Sequence, residues 1–544
     1  MSWLRPLNEI DPQDAGEVGG KAAALARLAQ EGLRVPPSMC LPASAYQQFV
    51  AESGLQARVL TELNRKAFAE MRWEEIWDCA LRIRNMFLKT SLPREMGNAL
   101  ADDLTRTFGE HPVAVRSSAP GEDSAQASFA GLHESYLNIY GPQEILKHIR
   151  LVWASLWSDA ALLYRQELGL DPRSSTMAVV VQALEAGRCS GVFFGMNPND
   201  GEQSVIEAVH GLNQGLVDGQ IAPDRWLIQR ATQQIIEHTA PPERSQRMVA
   251  GKLGVETEAL PDDLQSTPPL NESEVARVLA AGNRAETIFE TPQDVEWTFT
   301  DQDLVILQSR PITSGDAAAQ GDKRAWYLSL HRSFENLKTL EAKITQKLVP
   351  EMIQAAEAMA ATDLTGLSDE TLAEEIEKRR TANDHWVQVY WADFIPFAHG
   401  MRLFGQFYND VMAPEDPFEF MRLLEKSDLV SLQRNRLMME MARMVAADAA
   451  LARRLSAAEE LPATGAFAEH LAAFIRQFGD LTCPVTGGGQ CRQGPEAVIR
   501  LVLELGAGET AAPKVREHQS SRELEGRFLN RLAVDQRKYG QALL

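Results

Sequence analysis

Between Pro292 and Thr313 the chain reads PQDVEWTFTDQDLVILQSRPIT, two alternating runs whose pattern predicts a β-hairpin. Alternation places Val295, Trp297 and Phe299 on one face of the first strand and Asp294, Glu296 and Thr298 on the other, while Gln308 and Arg310 share a face of the second. Two carboxylates, an amide and a guanidinium can therefore converge on one surface. Carboxylate and amide oxygens are the donors that a hard cation such as Mg²⁺ takes alongside substrate phosphates, and the planar guanidinium fork matches phosphate oxygens. The hairpin thus outlines a floor for a metal triphosphate. The same alternation also describes an ordinary hairpin with one wet face.

Other segments carry compatible chemistry. In GEVGGKAAALARL, residues 16–28, glycines precede Lys21 and an Ala/Leu-rich amphipathic helix follows, so an ammonium can meet an anion near a helix N-terminus. This is not a P-loop, because Ala22 stands where that motif needs Ser or Thr; taken alone, a glycine turn with a solvated lysine is the preferred reading. In HPVAVRSSAPGEDSAQASFAGLHESYLNIY, residues 111–140, Val113 to Val115 predict a buried strand ending at Arg116. The Ser117 to Asp123 stretch reads as a turn-forming loop, and small residues continue through Ser128, Ala130 and Gly131. Backbone N–H groups of such a loop can fold over phosphates while Arg116 supplies charge. A flexible surface loop is the alternative.

The elements that must position these groups come next. MAVVVQAL, SGVFFGMNP and SVIEAVHGL, beginning at Met177, Ser190 and Ser204, are apolar strand candidates expected to form one antiparallel sheet. The first could line an adenine slot with Gln182 at its end, and Glu207 on the third sits among apolar neighbours and needs a partner. Asp224-Arg225-Trp226 opens a further hairpin, and Asn271 with Glu274 forms a capping-box signature for a helix. SGDAAAQGDK, residues 314–323, reads as a small-residue linker, after which nearly every segment has helical periodicity.

The whole chain sets bounds on function. Its 544 residues suggest two to four domains, and 44% hydrophobic content supports packed cores. The five cysteines, at positions 40, 79, 189, 483 and 491, are scattered and contain no CxxC pair, which favours neither a disulfide framework nor zinc and points to a reducing, cytoplasmic setting. A net charge of −21 argues against a nucleic-acid surface, which needs a basic stripe. No segment reads as a membrane span, and the N-terminus does not read as a signal peptide.

GGKAAAL, VAVRSSAPGED, SFAGLHESYLNI, the Gly211–Asp224 loop and DVEW…LQSRPI, in that order, resemble the ATP-grasp nucleotide-binding region of phosphoenolpyruvate synthase, pyruvate phosphate dikinase and rifampin phosphotransferase. The resemblance covers about residues 8–315. It implies an α+β fold: a two-lobed ATP-grasp domain over 1–315, a linker at 316–325 and a mainly α-helical domain over 326–544. It also implies ATP and Mg²⁺ as ligands. By motif, Lys21 and Arg116 resemble the phosphate-binding cations, Glu296 and Gln308 the metal ligands with Asp294 in support, and Arg310 the cation at the transferring phosphoryl group. Ser128 to Gly131 resembles a phosphate lid, and Gln182 to Leu184 an adenine-edge strand.

Dikinases of this family give AMP, phosphate and a phosphohistidine on a swivelling domain marked by Thr-Gly-Gly closely followed by His. None of the ten histidines here has that context; Thr486-Gly487-Gly488-Gly489 is followed by Gln490 and Cys491. The expectation is a phosphohistidine domain supplied by a continuation of the chain or a separate subunit, with direct transfer as a third possibility. The helical region resembles the acceptor-binding part of rifampin phosphotransferase through DPFEFMRLL from Asp416 and FIRQFGDLTCPVTGG from Phe474. Trp386, Tyr390, Trp391, Phe394, Phe397, Phe404, Phe407 and Tyr408, interleaved with His385 and His399, could line an acceptor pocket or simply form helix core. The acceptor expected is a small molecule, pyruvate-like or a hydroxylated aromatic. Three readings follow: the ATP-binding component of a phosphoenolpyruvate-synthase-like dikinase, a rifampin- or phenol-type phosphotransferase component, or an ATP-sensing module without turnover.

Overall fold

A computed structural model of the chain describes residues 3–120, 123–124, 127–128, 134–197, 200–312 apart from 218, 253 and 302, and then 340–424, 430–456, 464–479, 494–509 and 521–532. The expected linker at 316–325 and the Thr486–Gly489 stretch with Cys483 and Cys491 lie outside them. The chain divides into two compact units, Met1–Gln406 and Phe407–Leu544.

The first unit holds two antiparallel sheets. One has five strands in the order β1 (Arg5–Pro6), β2 (Ser38–Leu41), β7 (Ala178–Ala183), β3 (Val113–Ser118) and β6 (Ser135–Ile139). The other has six, in the order β11 (Ile235–Thr239), β10 (Asp224–Gln229), β9 (Gln203–His210), β8 (Cys189–Phe194), β14 (Gln293–Phe299) and β15 (Leu304–Pro311). Two small ribbons complete the set: β4 (Asp123–Ser124) with β5 (Ala127–Ser128), and β12 (Gln246–Ala250) with β13 (Val255–Ala259).

The central β7 of the first sheet is buried on both faces because helices cover both. Val113, Val115, Val179 and Val181 pack with Phe49, Phe87 and Trp153, the last two from helices Trp73–Lys89 and Pro142–Ser155. On the opposite face Ala178 and Val180 meet Val18, Ala22 and Ala26 of α1, Ala15–Gln30. The second sheet buries one face, where Phe193, Ile206, Trp226, Val295, Trp297 and Phe299 pack against Val275, Val278 and Leu279 of α2, Glu272–Phe289. Asn271 and Glu274 cap that helix reciprocally, as the sequence predicts. Its polar partner face is left to the site.

Two expectations need correction. β7 does not join β8 and β9 in one sheet: it sits between β2 and β3 in the five-stranded sheet, while β8 and β9 pair in the other. An apolar run buried on both faces carries no mark of which sheet it enters. The strand at Val113 also runs on through Arg116 to Ser118, because Ser117 and Ser118 pair with Val179 and Ala178 and are buried rather than forming a loop.

Beyond residue 340 the regular elements among the described residues are helices. The first unit includes Val349–Ala360 and Asp369–Val389, whose Ile353, Ile376 and Val387 are exposed. In the second unit, Met438, Met441 and Val445 of Val430–Ala447 pack with Phe474 of Ala466–Phe478 and with Val498 and Val502 of Pro495–Glu509. Among the described residues no helix is long and apolar enough to cross a membrane.

Candidate functional site

Direct cross-strand partners share a face of a sheet. β14 and β15 pair Glu296 with Gln308 and Asp294 with Arg310, so all four side chains lie on one face, as alternation predicts, with a bulge just after Glu296. The apolar Val295, Trp297 and Phe299 anchor the opposite face in the core. Burying such side chains contributes roughly 1.5–3 kcal/mol each, which fixes the strand and therefore the aim of its polar face.

Arg116, on the other sheet, reaches this face. Its Nη1 lies 3.4 Å from Glu296 Oε2 and 3.3 Å from Gln308 Oε1, contacts that span 180 and 192 residues of sequence. The side chains of Arg116 and Glu296 are only 12% and 17% exposed, so the pair is screened little by solvent. A carboxylate and an amide oxygen side by side are a donor set for a hard divalent cation, and both already face a positive charge.

Asp294 and Arg310 form a second, tighter pair: Arg310 donates from Nε at 2.8 Å and Nη2 at 2.7 Å to one carboxylate oxygen. Burial raises the Asp294 carboxyl above its usual value, with Arg310 opposing the shift. Asp294 therefore positions the guanidinium, while Glu296 and Gln308 carry the outward oxygens.

Lys21 follows a break in α1. Gly19 has φ +75°, and a Cβ there would lie 2.0 Å from the Ser118 carbonyl oxygen, so only glycine lets the chain pass β3 at this point. Ser118 Oγ donates to Val18 O at 2.8 Å and accepts from Ala22 N at 3.1 Å, stitching the restarted helix to the strand that carries Arg116. Lys21 Nζ lies 3.4 Å from Ser117 Oγ. Lysine and arginine are thus held by the same short piece of β3. Sequence reading missed Ser117 and Ser118 in this role; continuing the alternation Val113, Val115, Ser117 would have extended the strand over them.

Gln182 is buried, and its amide donates to Leu307 O at 3.3 Å, tying the two sheets together, while the Leu184 N–H donates to Pro112 O at 2.9 Å. Ser128 lies in β5, opposite Asp123. Gly131 lies outside the described residues. Ser135, which sequence reading did not single out, stands opposite Arg116 in the ladder and brings a hydroxyl to the same row. Of the aromatic run, Tyr390 and Trp391 are exposed, whereas Phe404 and Tyr408 are buried.

An apolar-backed strand pair whose polar face gathers a carboxylate, an amide oxygen and two guanidinium groups is an arrangement suited to a phosphate chain with a divalent cation. Residues 15–327 match the family model for the pyruvate phosphate dikinase AMP/ATP-binding domain, and the chain belongs to that family. It is 37% identical over 317 residues to a rifampicin phosphotransferase of Streptomyces sviceus, covering 57% of this chain and 36% of that protein. It is 32% identical over 332 residues to a probable phosphoenolpyruvate synthase of Methanothermobacter thermautotrophicus, covering 60% of this chain and 48% of that protein. A phosphoenolpyruvate synthase of Aeropyrum pernix is 32% identical over 352 residues, with 56% of this chain and 42% of that protein covered. The matched part therefore spans less than half the length of each of these relatives.

Proposed function

We propose that residues 1–315 are an ATP-grasp unit that cleaves Mg·ATP to AMP and phosphate, and that the phosphoryl group passes to a histidine on a domain outside these 544 residues and then to a small organic acceptor. The observation that carries this reading is the convergence of Arg116 with Glu296 and Gln308 across two sheets. Membership of an AMP/ATP-binding family supports the nucleotide.

In this reading Glu296 and Gln308 hold Mg²⁺, which when bound neutralises phosphate charge. Lys21 and Arg116 draw the phosphates into the cleft, and Arg116 leaves the two oxygens for phosphate as the nucleotide arrives. Arg310, locked by Asp294, needs no reorganisation to meet charge developing on the transferring group, which is where preorganised donors act most strongly. The resemblance of Ser128 to Gly131 to a phosphate lid, and of Gln182 to Leu184 to an adenine edge, completes the assignment.

The identity to rifampicin phosphotransferases favours, as a second reading, an acceptor of the rifampicin kind. Titration calorimetry tests the site: Glu296→Ala should abolish most Mg·ATP affinity, and an unchanged affinity removes the hairpin from it. Product analysis tests the reaction class. AMP, together with an acid-labile phosphoprotein on an added histidine-domain protein, supports the dikinase; ADP with direct acceptor phosphorylation by the chain alone overturns it; no product supports the sensing module.

A further inference from the structure

The polar face extends beyond the hairpin. Glu296 pairs across β14 and β8 with Val192, Val192 pairs across β8 and β9 with Glu207, and Glu207 pairs across β9 and β10 with Arg225. Each of these residues is a direct cross-strand partner of the next, so Glu207 and Arg225 lie on the same face as Glu296 and Gln308. Two interstrand gaps separate the Glu207 and Glu296 backbones, roughly 10 Å. Side chains reaching inward from the two positions can flank a phosphoryl group and the water that attacks it.

The carboxylates of this face have different surroundings. Asp294 is held by two short contacts from Arg310, and Glu296 faces Arg116 and Gln308. Glu207 has a looser partner, Arg225 at 3.6 Å, and the Arg225 Nε is buried without a hydrogen bond. Arg225 is the charged group facing Glu207 from β10; the neighbour from β8 is the apolar Val192. Burial pushes the Glu207 carboxyl above its ordinary value, with Arg225 pulling it partway back. A desolvated, loosely paired carboxylate is a better proton acceptor than one locked in a bidentate pair.

The reaction proposed above needs such a group. ATP, water and a histidine give AMP, phosphate and phosphohistidine, so one anhydride bond must go to water. We infer that Glu207 is the general base for that water. Its carboxylate takes a proton as the water oxygen bonds to the terminal phosphorus, and the bond from that phosphorus to the bridging oxygen breaks, releasing phosphate. Without the histidine domain the same attack on ATP gives slow release of phosphate and ADP. This inference rests on the ATP-cleaving reading of the site.

The test uses the full chain with Mg·ATP in ¹⁸O water, following phosphate release and its isotope content across pH for the parent, Glu207→Gln and Arg225→Ala, with Mg·ATP affinity measured in parallel. Glu207→Gln should bind Mg·ATP within about twofold of the parent and release phosphate on the order of 10²-fold more slowly. The acid limb of the parent profile should vanish in Glu207→Gln and move to higher pH in Arg225→Ala, which removes the group that lowers the Glu207 carboxyl. Release within threefold of the parent, or slowed release that keeps the acid limb, overturns the inference and leaves the ATP site intact. A parent that binds Mg·ATP but releases no phosphate also overturns it. A parent that binds no Mg·ATP overturns the nucleotide reading and this inference together.

Discussion

Arg116 touches the two oxygens proposed to hold a cation, so it should compete with a metal when nucleotide is absent and cooperate with it when nucleotide is present. Replacing it with Ala should therefore move two affinities in opposite directions. A full charge pair at the 3.4 Å separation of Arg116 and Glu296 is worth about 5 kcal/mol of gross Coulomb energy at an effective dielectric of about 20. Desolvation and side-chain entropy take back most of that, leaving about 1–2 kcal/mol for a pair of intermediate burial. Mn²⁺, which suits carboxylate and carbonyl donors, should accordingly bind Arg116→Ala about 5–30-fold more tightly than the parent without nucleotide. Mg·ATP should bind more weakly by about 10- to 150-fold, from loss of a charged hydrogen-bond donor worth about 1.5–3 kcal/mol. Titration calorimetry and Mn²⁺ spin-resonance binding read both quantities. Mn²⁺ affinity that is unchanged or reduced, with Mg·ATP unaffected, would show that Arg116 does not guard these oxygens and would refute the reasoning.

Arg310→Ala should lower turnover by about 10²–10³-fold while changing Mg·ATP affinity much less, since preorganised charge acts mainly in the transition state; activity within twofold of the parent would count against the role. Gly19→Ala should weaken Mg·ATP binding and lower the melting temperature, because the new methyl group meets the Ser118 carbonyl and the backbone conformation costs on the order of 1–3 kcal/mol; an unchanged melting temperature would sink the close-approach argument. His210 is buried with Nε2 3.0 Å from Thr267 O, and desolvation lowers its pKa below the usual 6.5. The unfolded chain then takes up the proton first, so the contribution of His210 is intact above pH ~6.5 and is lost as pH falls through the lower folded-state value. Denaturant titrations at stepped pH should show that slope, and His210→Gln should reduce it.

The hairpin was legible because strict alternation encodes a face, and the structure pairs Glu296 with Gln308 and Asp294 with Arg310 on it. The helix after Asn271 was legible because its caps are local chemistry. Sheet membership of β7 was not, since Ala178 to Ala183 is buried throughout and any two-sided site would accept that run. Ser117 and Ser118 read as loop formers because their buried hydroxyl partners, Lys21 and Val18, lie about a hundred residues away. The 246–259 ribbon went unseen because β13 is largely exposed and carries alternating acids rather than an apolar stripe.

What neither strand reveals alone is how the two sheets are held to one another at the site. Gln182 ties β7 to β15 through Leu307 O, while Arg116 on the adjacent strand touches the neighbouring Gln308. Leu307 is the extra residue of the bulge, between Ile306 opposite Trp297 and Gln308 opposite Glu296, and it is its backbone carbonyl that Gln182 meets. One tie is thus a buried backbone contact that substrate need not disturb, and the other is a charged contact that an incoming anion can exchange. Asn138 of β6 separately donates to Gly251 O and Gly254 O in the turn of the small β12–β13 ribbon. The two sheets are thus tied by the Gln182 contact, and the exchangeable Arg116 contact lies where phosphate is proposed to enter. A cleft built this way can bind nucleotide by replacing one ion pair rather than by unpacking its core, which is why the Arg116→Ala measurements in the absence and presence of ATP probe the architecture and the chemistry at once.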